Sequence, residues 1–309
     1  MASPHHIESS VNNDNIKVSF EFFPPKNGKM EEQLWESVVK LAPFNPEYVS
    51  VTYGAGGSTK EPTLNTIKRI INSNEVDINP AAHLTCVEAS KEEVHNVVQE
   101  FRDAGVKHFV ALRGDPSSGI GTKYQPHPDG YENAAALVRG LRDISDCEIS
   151  VSAYPEKHPE SPDFMTDLDM LKRKVDNGAT RAITQFFFNN DDFERYVERA
   201  RKAGIYIPIV PGILPIHNFT QVQKFAAMCG TSIPDWLVRR FDGLEDEPEV
   251  RSMVASAIAT EQVVDLANRG FEEFHFYTMN RARLVFAVCQ MLGLNQNGNS
   301  NGDENRNAA

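Results

Sequence analysis

Short runs rich in β-branched and aromatic residues recur eight times along this chain, each followed by a longer segment of helical period. That alternation leaves few folds open. The strand candidates are Lys17–Phe22, Tyr48–Thr52, Ala81–Thr85, His108–Leu112, Glu148–Ala153, Ala182–Phe187, Pro208–Pro211 and Phe274–Tyr277. Helical patterns cover Glu31–Leu41, Glu61–Ile71, Lys91–Ala104, Glu132–Asp143, Pro162–Asp176, Asp191–Ala203 and Phe219–Met228, then Pro234–Phe241, Pro248–Asn268 and Asn280–Leu292. Eight β-then-α units predict an α/β chain folded as a (β/α)₈ TIM barrel in a single domain. The surplus helices fall between strands seven and eight. A doubly wound open sheet is the alternative, but no G-x-G-x-x-G fingerprint follows the first strand.

The barrel is expected to occupy residues 16–294. Residues 1–15 and 295–309 are rich in Asn, Ser and Gly and poor in apolar groups, so both tails are expected to be disordered. Net charge is −12 and no basic run stands out, which argues against nucleic acid and anionic membrane as partners. No apolar stretch is long enough to span a bilayer, and the first residues lack the apolar core of a signal peptide, so a cytoplasmic location is expected. The four cysteines are scattered with no Cys-x-x-Cys pair, so neither a disulfide framework nor a metal site is expected. A phosphate-bearing ligand would therefore be met by local cations or backbone amides.

In such a barrel the functional end is the C-terminal end of the strands. Val18, Phe20 and Phe22 alternate with Ser19 and Glu21, which places a carboxylate near the end of an apolar strand that Pro24-Pro25 stops. Burying that charge is costly unless a partner or a reaction uses it, and its apolar setting predicts a raised pKa. The other strand ends deliver Thr52-Tyr53-Gly54-Ala55, His83 with Thr85, Arg113-Gly114-Asp115, Tyr154 to His158, Gln185, and His275 to Tyr277. So many polar groups on one rim favour an enzyme over a purely structural barrel. Glu21 and Asp115 are the rim carboxylates suited to act as proton donor and electrostatic partner.

Plainer readings stand beside these. Arg113 and Asp115 could pair with each other. Asp167, Arg173 and Lys174 could form a solvated face of the 162–176 helix, whose apolar side is Phe164, Leu168, Leu171 and Val175 and whose cap is Ser161 before Pro162. Phe225, spaced with Val222 and Met228, reads as core.

The stretches SFEFFPPK (19–26), VSVTYGAGGS (49–58), HLTC (83–86), ALRGDP (111–116), SAYPEKHPE (152–160), LKRKVDNGATRAITQFFF (171–188), PGILPIHNF (211–219), FDGLED (241–246) and FHFYTMNRA (274–282) together resemble the methylenetetrahydrofolate reductase family, in its short bacterial form. The resemblance runs over Lys17 to Leu294. It implies a FAD-bearing barrel that reduces 5,10-methylenetetrahydrofolate to 5-methyltetrahydrofolate with NADH or NADPH by ping-pong hydride transfer, supplying methyl groups for methionine synthesis. Glu21 then matches the general acid, and Asp115 the carboxylate beside the pterin and flavin. Thr52, Tyr53, Ala55, His83, Arg113, Gly114, Asp115, Tyr154, His158, Asp167, Arg173 and Lys174 match FAD-binding positions. Gln185, Gln221, Phe225 and Arg281, with Glu21 and Asp115, match positions that hold the substrates. A homo-oligomer is a further implication of the resemblance. A flavin-free barrel lyase or aldolase, or a non-catalytic folate- or nucleotide-binding barrel, are the competing readings. The first would need a Schiff-base lysine or metal cluster at the rim.

Overall fold

The structure is a computed structural model that describes residues 15–54, 59–116 and 124–294. Both expected disordered tails, apart from Asn15, lie outside the described residues. The strands are β1 (Lys17–Phe22), β2 (Val49–Val51), β3 (Pro80–Thr85), β4 (His108–Leu112), β5 (Glu148–Ala153), β6 (Arg181–Thr184), β7 (Ile209–Val210), β8 (Gly212–Ile213) and β9 (Glu273–Tyr277). All pair in parallel in the order β7-β6-β5-β4-β3-β2-β1-β9-β8.

The expected seventh strand is thus two short ones. Pro211 has no N–H for the ladder and breaks the strand between them. Ile209 and Val210 pair with β6, whereas Gly212 and Ile213 pair with β9. The Pro211 carbonyl still accepts the His275 N–H at 3.0 Å, so the bent strand closes the ring and the barrel is a (β/α)₈ barrel with one cornered strand. A side chain at Gly212 would lie 2.2 Å from the Thr184 carbonyl and 2.6 Å from the Tyr277 ring. Only glycine admits that corner.

The helices are α1 (Gly28–Leu41), α2 (Lys60–Ile71), α3 (Lys91–Asp103), α4 (Ala134–Ile144), α5 (Phe164–Asp176), α6 (Asn190–Lys202), α7 (Phe219–Cys229), α8 (Asp235–Phe241), α9 (Pro248–Asn268) and α10 (Ala282–Met291). Three of them, α7 to α9, lie between β8 and β9, as the surplus helical patterns predicted. They cover a second apolar cluster that includes Phe186, Phe188, Leu214, Ile216 and Phe241. Among the described residues no helix is long and apolar enough to cross a membrane.

Period-two alternation sorts each strand's residues between two environments. Val18, Phe20, Phe22, Val51, Leu84, Phe109, Val151 and Phe276 join the helices in one large core outside the barrel wall. The opposite face lines the lumen, where the apolar cluster is small: Tyr48, Ala81, Val110 and Ile183, with Leu112 against them. The lumen is otherwise polar, with Ser19, Ser50, His83, His108, Ser150 and His275 buried there.

Helix α5 departs from the sequence expectation. Its N-cap is Asp163, which accepts the Thr166 N–H at 2.7 Å, and not Ser161. Ser161 instead donates to Asp167 Oδ1 at 2.9 Å. Phe164, expected on the apolar face, is 45% exposed, while Asp167 and Lys174 are buried with Leu168 and Leu171. The helix turns its charged pair inward, where both line a cavity and find partners in Ser161 and Ser152.

Candidate active site

Glu21 stands one residue before the end of β1, facing the lumen. Its Oε2 lies 3.3 Å from His83 Nε2 on β3 and 3.6 Å from His275 Nε2 on β9. Neither contact has hydrogen-bond geometry, and both Nε2 atoms are buried without a hydrogen-bond partner, so the coupling acts through space. Burial alone would raise the carboxyl pKa, but the facing His83 and His275 outweigh it and hold Glu21 down at about 2. The expectation of a raised value is therefore corrected: the flanking strands bring two imidazoles that a local reading of β1 cannot see. Burial drives His275 below its usual range, with Glu21 opposing. His275 Nδ1 is 2.7 Å from Ser19 Oγ, its register partner across the β1–β9 ladder. The Ser19 hydroxyl also donates to the Phe274 carbonyl at 3.5 Å, so it ties the His275 ring to the β1–β9 ladder with Nε2 turned toward Glu21.

The end of β1 is held from the last strand. Thr278 Oγ1 donates to the Glu21 carbonyl at 2.5 Å. Asn280 accepts the Phe23 N–H and donates to the Phe23 carbonyl, both at 2.9 Å. This two-pronged clamp, more than Pro24-Pro25, fixes the turn beyond Glu21.

A cavity of about 380 Å³ opens beside the ends of β4 and β5, lined in part by Arg113, Asp115, Tyr154, His158, Asp167 and Lys174. Lys174 Nζ reaches from α5 to Ser152, donating to its carbonyl at 2.8 Å and to its hydroxyl at 3.2 Å. Burial lowers the Lys174 pKa to about 8, opposed by Asp167 and assisted by Arg113. Asp167 Oδ1 accepts from the His158 N–H at 3.1 Å, but Oδ2 is buried without a partner, as is the Tyr196 hydroxyl on the same wall. Arg113 forms a two-pronged pair with Glu160 at 2.6 and 2.9 Å, while Asp115 stands off at 3.8 Å. The expected Arg113–Asp115 pairing is thus secondary. Tyr154 and His158 meet edge to face with ring centroids 4.7 Å apart. Gly114, at φ +82°, has no room for a side chain against Val87 and Thr85.

Two buried or half-buried cations, an aromatic pair and two orphaned polar atoms suit a diphosphate bearing hydroxyls and a flat ring. A cavity this size holds part of a dinucleotide. The donor set fits FAD.

The remaining expected residues divide. Thr52 is half-buried and its carbonyl accepts from Thr63 Oγ1 at 2.8 Å. Tyr53 lines a separate cavity with Thr85 and Val87. Ala55 lies outside the described residues. Arg173 is exposed on α5 and does not line the cationic cavity. Gln185 follows β6, half-buried, with its side-chain oxygen accepting the Phe186 N–H at 3.0 Å. Phe225 is half-buried against the second apolar cluster, so its spacing-based assignment to core holds in part. Gln221 is exposed in the first turn of α7 beside His217, and Arg281 is exposed just before α10. Glu21 and His83 do not line the cationic cavity, so the acid cluster on β1, β3 and β9 and the cationic pocket by β4 and β5 are separate features at the C-terminal strand ends.

The profile of the methylenetetrahydrofolate reductase family matches residues 6–293. The chain belongs to that family. It is 46% identical over 280 residues to the 5,10-methylenetetrahydrofolate reductase of Pectobacterium carotovorum, spanning 90% of this chain and 91% of that one. To the enzyme of the same name from Escherichia coli K12 it is 45% identical over 279 residues, again 90% and 91% of the two chains. Among solved structures, a Clostridium thermocellum protein described as binding two copies of 5-methyl-5,6,7,8-tetrahydrofolic acid superposes with a TM-score of 0.59. That likeness covers 91% of this chain and 95% of the other at 16% identity, which supports the barrel fold. As a member of the reductase family the chain is an oxidoreductase.

For this reductase-family barrel, sequence reasoning assigned no role to Ser19, His275, Thr278, Asn280, Glu160 or Tyr196. The signal for His275 was present, since a histidine in an apolar strand alternates onto the face that Ser19 and Glu21 share once β1 and β9 pair. Nothing local marked Glu160, whose partner lies on another loop.

Proposed function

We propose that the chain reduces 5,10-methylenetetrahydrofolate to 5-methyltetrahydrofolate, with FAD in the cationic cavity and NADH as reductant. The observation that carries this reading is the Glu21–His83–His275 cluster at the C-terminal strand ends, the end at which the cationic cavity also opens. The reaction is the one named for relatives more than 40% identical over nine-tenths of the chain. NADH is preferred because a plant relative, 34% identical over 299 residues, is named methylenetetrahydrofolate reductase (NADH) 1.

When bound, FAD supplies two-electron hydride transfer between nicotinamide and folate. Lys174 and Arg113 are suited to its diphosphate, and Asp167 Oδ2 and Tyr196 offer acceptor and donor to its hydroxyls. Binding of the diphosphate would draw Arg113 away from Glu160. Asp115, exposed at the rim, contributes negative charge that favours a cationic folate. Glu21 is the proton donor to the folate ring nitrogen. It is ionised in the ligand-free protein, so it needs a proton and loss of water before it can act. With its side chain 12% exposed, Glu21 can take that proton from solvent before a bulky pterin over the rim excludes the water. The competing lyase reading has one observation in its favour, the buried Lys174 of lowered pKa, but membership of an oxidoreductase family decides against it.

Glu21→Gln should bind FAD and accept electrons from NADH as the parent does. Its folate half-reaction should fall by at least the ~10²–10⁴-fold typical of a lost general acid. Equal loss in the NADH half-reaction would remove the assigned role.

A further inference from the structure

The Arg113 guanidinium, suited to the diphosphate, is held by two side chains to which no step above gives a part. Its terminal nitrogens form the two-pronged pair with Glu160, on the loop after β5. Those bonds pull the Glu160 carboxyl below its usual range. Its central carbon lies over the ring of Tyr124, 4.7 Å from the centroid. Tyr124 and Glu160 both line the cationic cavity.

The two partners are held very differently. Tyr124 is anchored: its hydroxyl donates to the Tyr131 carbonyl at 3.2 Å and lies 3.8 Å from Cys86 Sγ. The Tyr131 hydroxyl in turn meets His95 Nε2 on α3 at 2.6 Å. The segment between the two tyrosines is tied to the start of α3, where the Asp129 carbonyl accepts the Lys91 N–H at 2.9 Å and Gly130 bridges to Ser90. Glu160, by contrast, is exposed, and its pair with Arg113 is open to water. Such a pair is weak enough to be exchanged for a diphosphate, which offers more charge and more acceptors. A cation held over a ring face keeps that contact while its N–H fork turns toward a new acceptor.

We propose that Arg113 is a latch that FAD must open: Glu160 holds it shut, and the ring of Tyr124 is the pivot on which the guanidinium turns from carboxylate to diphosphate. The proposal rests on the FAD reading given above. Glu160 is then a competitor of the cofactor, so its loss strengthens binding, whereas loss of the Tyr124 ring weakens it. Both are positioning residues that act through Arg113.

Flavin fluorescence should be used to measure FAD affinity and association rate in the flavin-stripped full chain. The variants are Glu160→Gln, Tyr124→Phe and Tyr124→Leu, each made in the parent and in an Arg113→Met background. Glu160→Gln should bind FAD about threefold more tightly than the parent, through faster association, as removal of one exposed competing pair would give. Tyr124→Leu should bind about fivefold more weakly, and Tyr124→Phe, which keeps the ring, should stay within about twofold of the parent. In Arg113→Met, itself a weaker binder, these differences should disappear, because each runs through the missing guanidinium. Glu160→Gln binding no more tightly than the parent, or keeping its gain without Arg113 as plain charge repulsion would, overturns the latch. An equal loss for Tyr124→Leu in both backgrounds overturns the pivot, since the ring would then serve the ligand or the fold directly. A parent chain that takes up no FAD sinks the FAD reading, and the latch with it.

Discussion

Replacing Lys174 by methionine separates a structural lysine from one kept for a diphosphate. Burial has moved its pKa from 10.5 to about 8, a penalty of roughly 3 kcal/mol for holding the charge there. Against this stand two hydrogen bonds to Ser152, at about 1 kcal/mol for each; the attraction of Asp167 is already contained in the shifted value. The gain and loss nearly cancel, so Lys174→Met should leave ligand-free stability within about 1 kcal/mol of the parent. FAD affinity should behave differently. Charge-assisted bonds to a phosphate are worth about 1.5–3 kcal/mol each, so the variant should bind FAD about 10²-fold more weakly.

The pH dependence carries a sign. The folded lysine releases its proton near pH 8, whereas the unfolded chain holds it to 10.5. Ligand-free stability should therefore rise with pH across that window, because the unfolded state binds more protons there. FAD affinity should run the opposite way, highest below pH 8 and falling above it, since the phosphate wants the charged amine. Near pH 8 to 9, FAD binding should take up a proton. Titration by flavin fluorescence, with calorimetry in two buffers of different ionisation enthalpy, reads both quantities. A variant that binds FAD within about threefold of the parent, or an affinity flat from about pH 7 to about pH 9.5, would refute the assignment.

Asn280→Ala removes both bonds to the Phe23 backbone; it should cost about 2 kcal/mol and lower Tm by roughly 4–8 °C, and an unchanged melting curve would show that the clamp is incidental. Acid should destabilise the barrel from its lumen. Burial holds His108 down at about 4 and lowers His275, so the unfolded chain gains protons first as pH falls below 6.5. Stability should drop between about pH 6.5 and about pH 4, by roughly 3 kcal/mol for His108 alone. Urea midpoints measured across that range should show the slope, and His108→Gln should flatten it; an equal slope in the variant would remove His108 as its source.

Strands β1, β4 and β5 were legible to the residue because alternation and flanking turn residues agree there. The seventh strand was legible as one run only, since its division depends on which neighbour pairs on each side of Pro211, a property of the closed ring. Glu21 could be placed at a strand end from β1 alone. The direction of its pKa could not, because His83 and His275 arrive from distant strands. Helix α5 failed for a related reason. Hydrophobic spacing put Phe164 inside and Lys174 outside, and the structure reverses both. An apolar residue at a helix start is tolerated in water, and a buried lysine becomes tolerable only with Ser152 and Asp167 across the cavity. Family motifs named Lys174 and Asp167 where periodicity misjudged them.

The unequal cores explain how this rim can be tuned. In a barrel filled by branched side chains, the lumen supplies much of the packing, and a polar substitution there costs stability directly. Here the large core lies between strands and helices, and the lumen's apolar cluster is confined to a few side chains. Tyr48 OH and Ser50 Oγ are buried in the lumen without a protein hydrogen-bond partner, polar groups that add no packing of the kind the outer core supplies. Folding is thus secured by one face of every strand and leaves the other face to chemistry. The same division sets how Glu21 responds: its charge answers to His83 and His275 inside a walled lumen, and only its open side, toward the rim, answers to what binds. A ligand that covers that side changes the one part of the environment the fold has left adjustable.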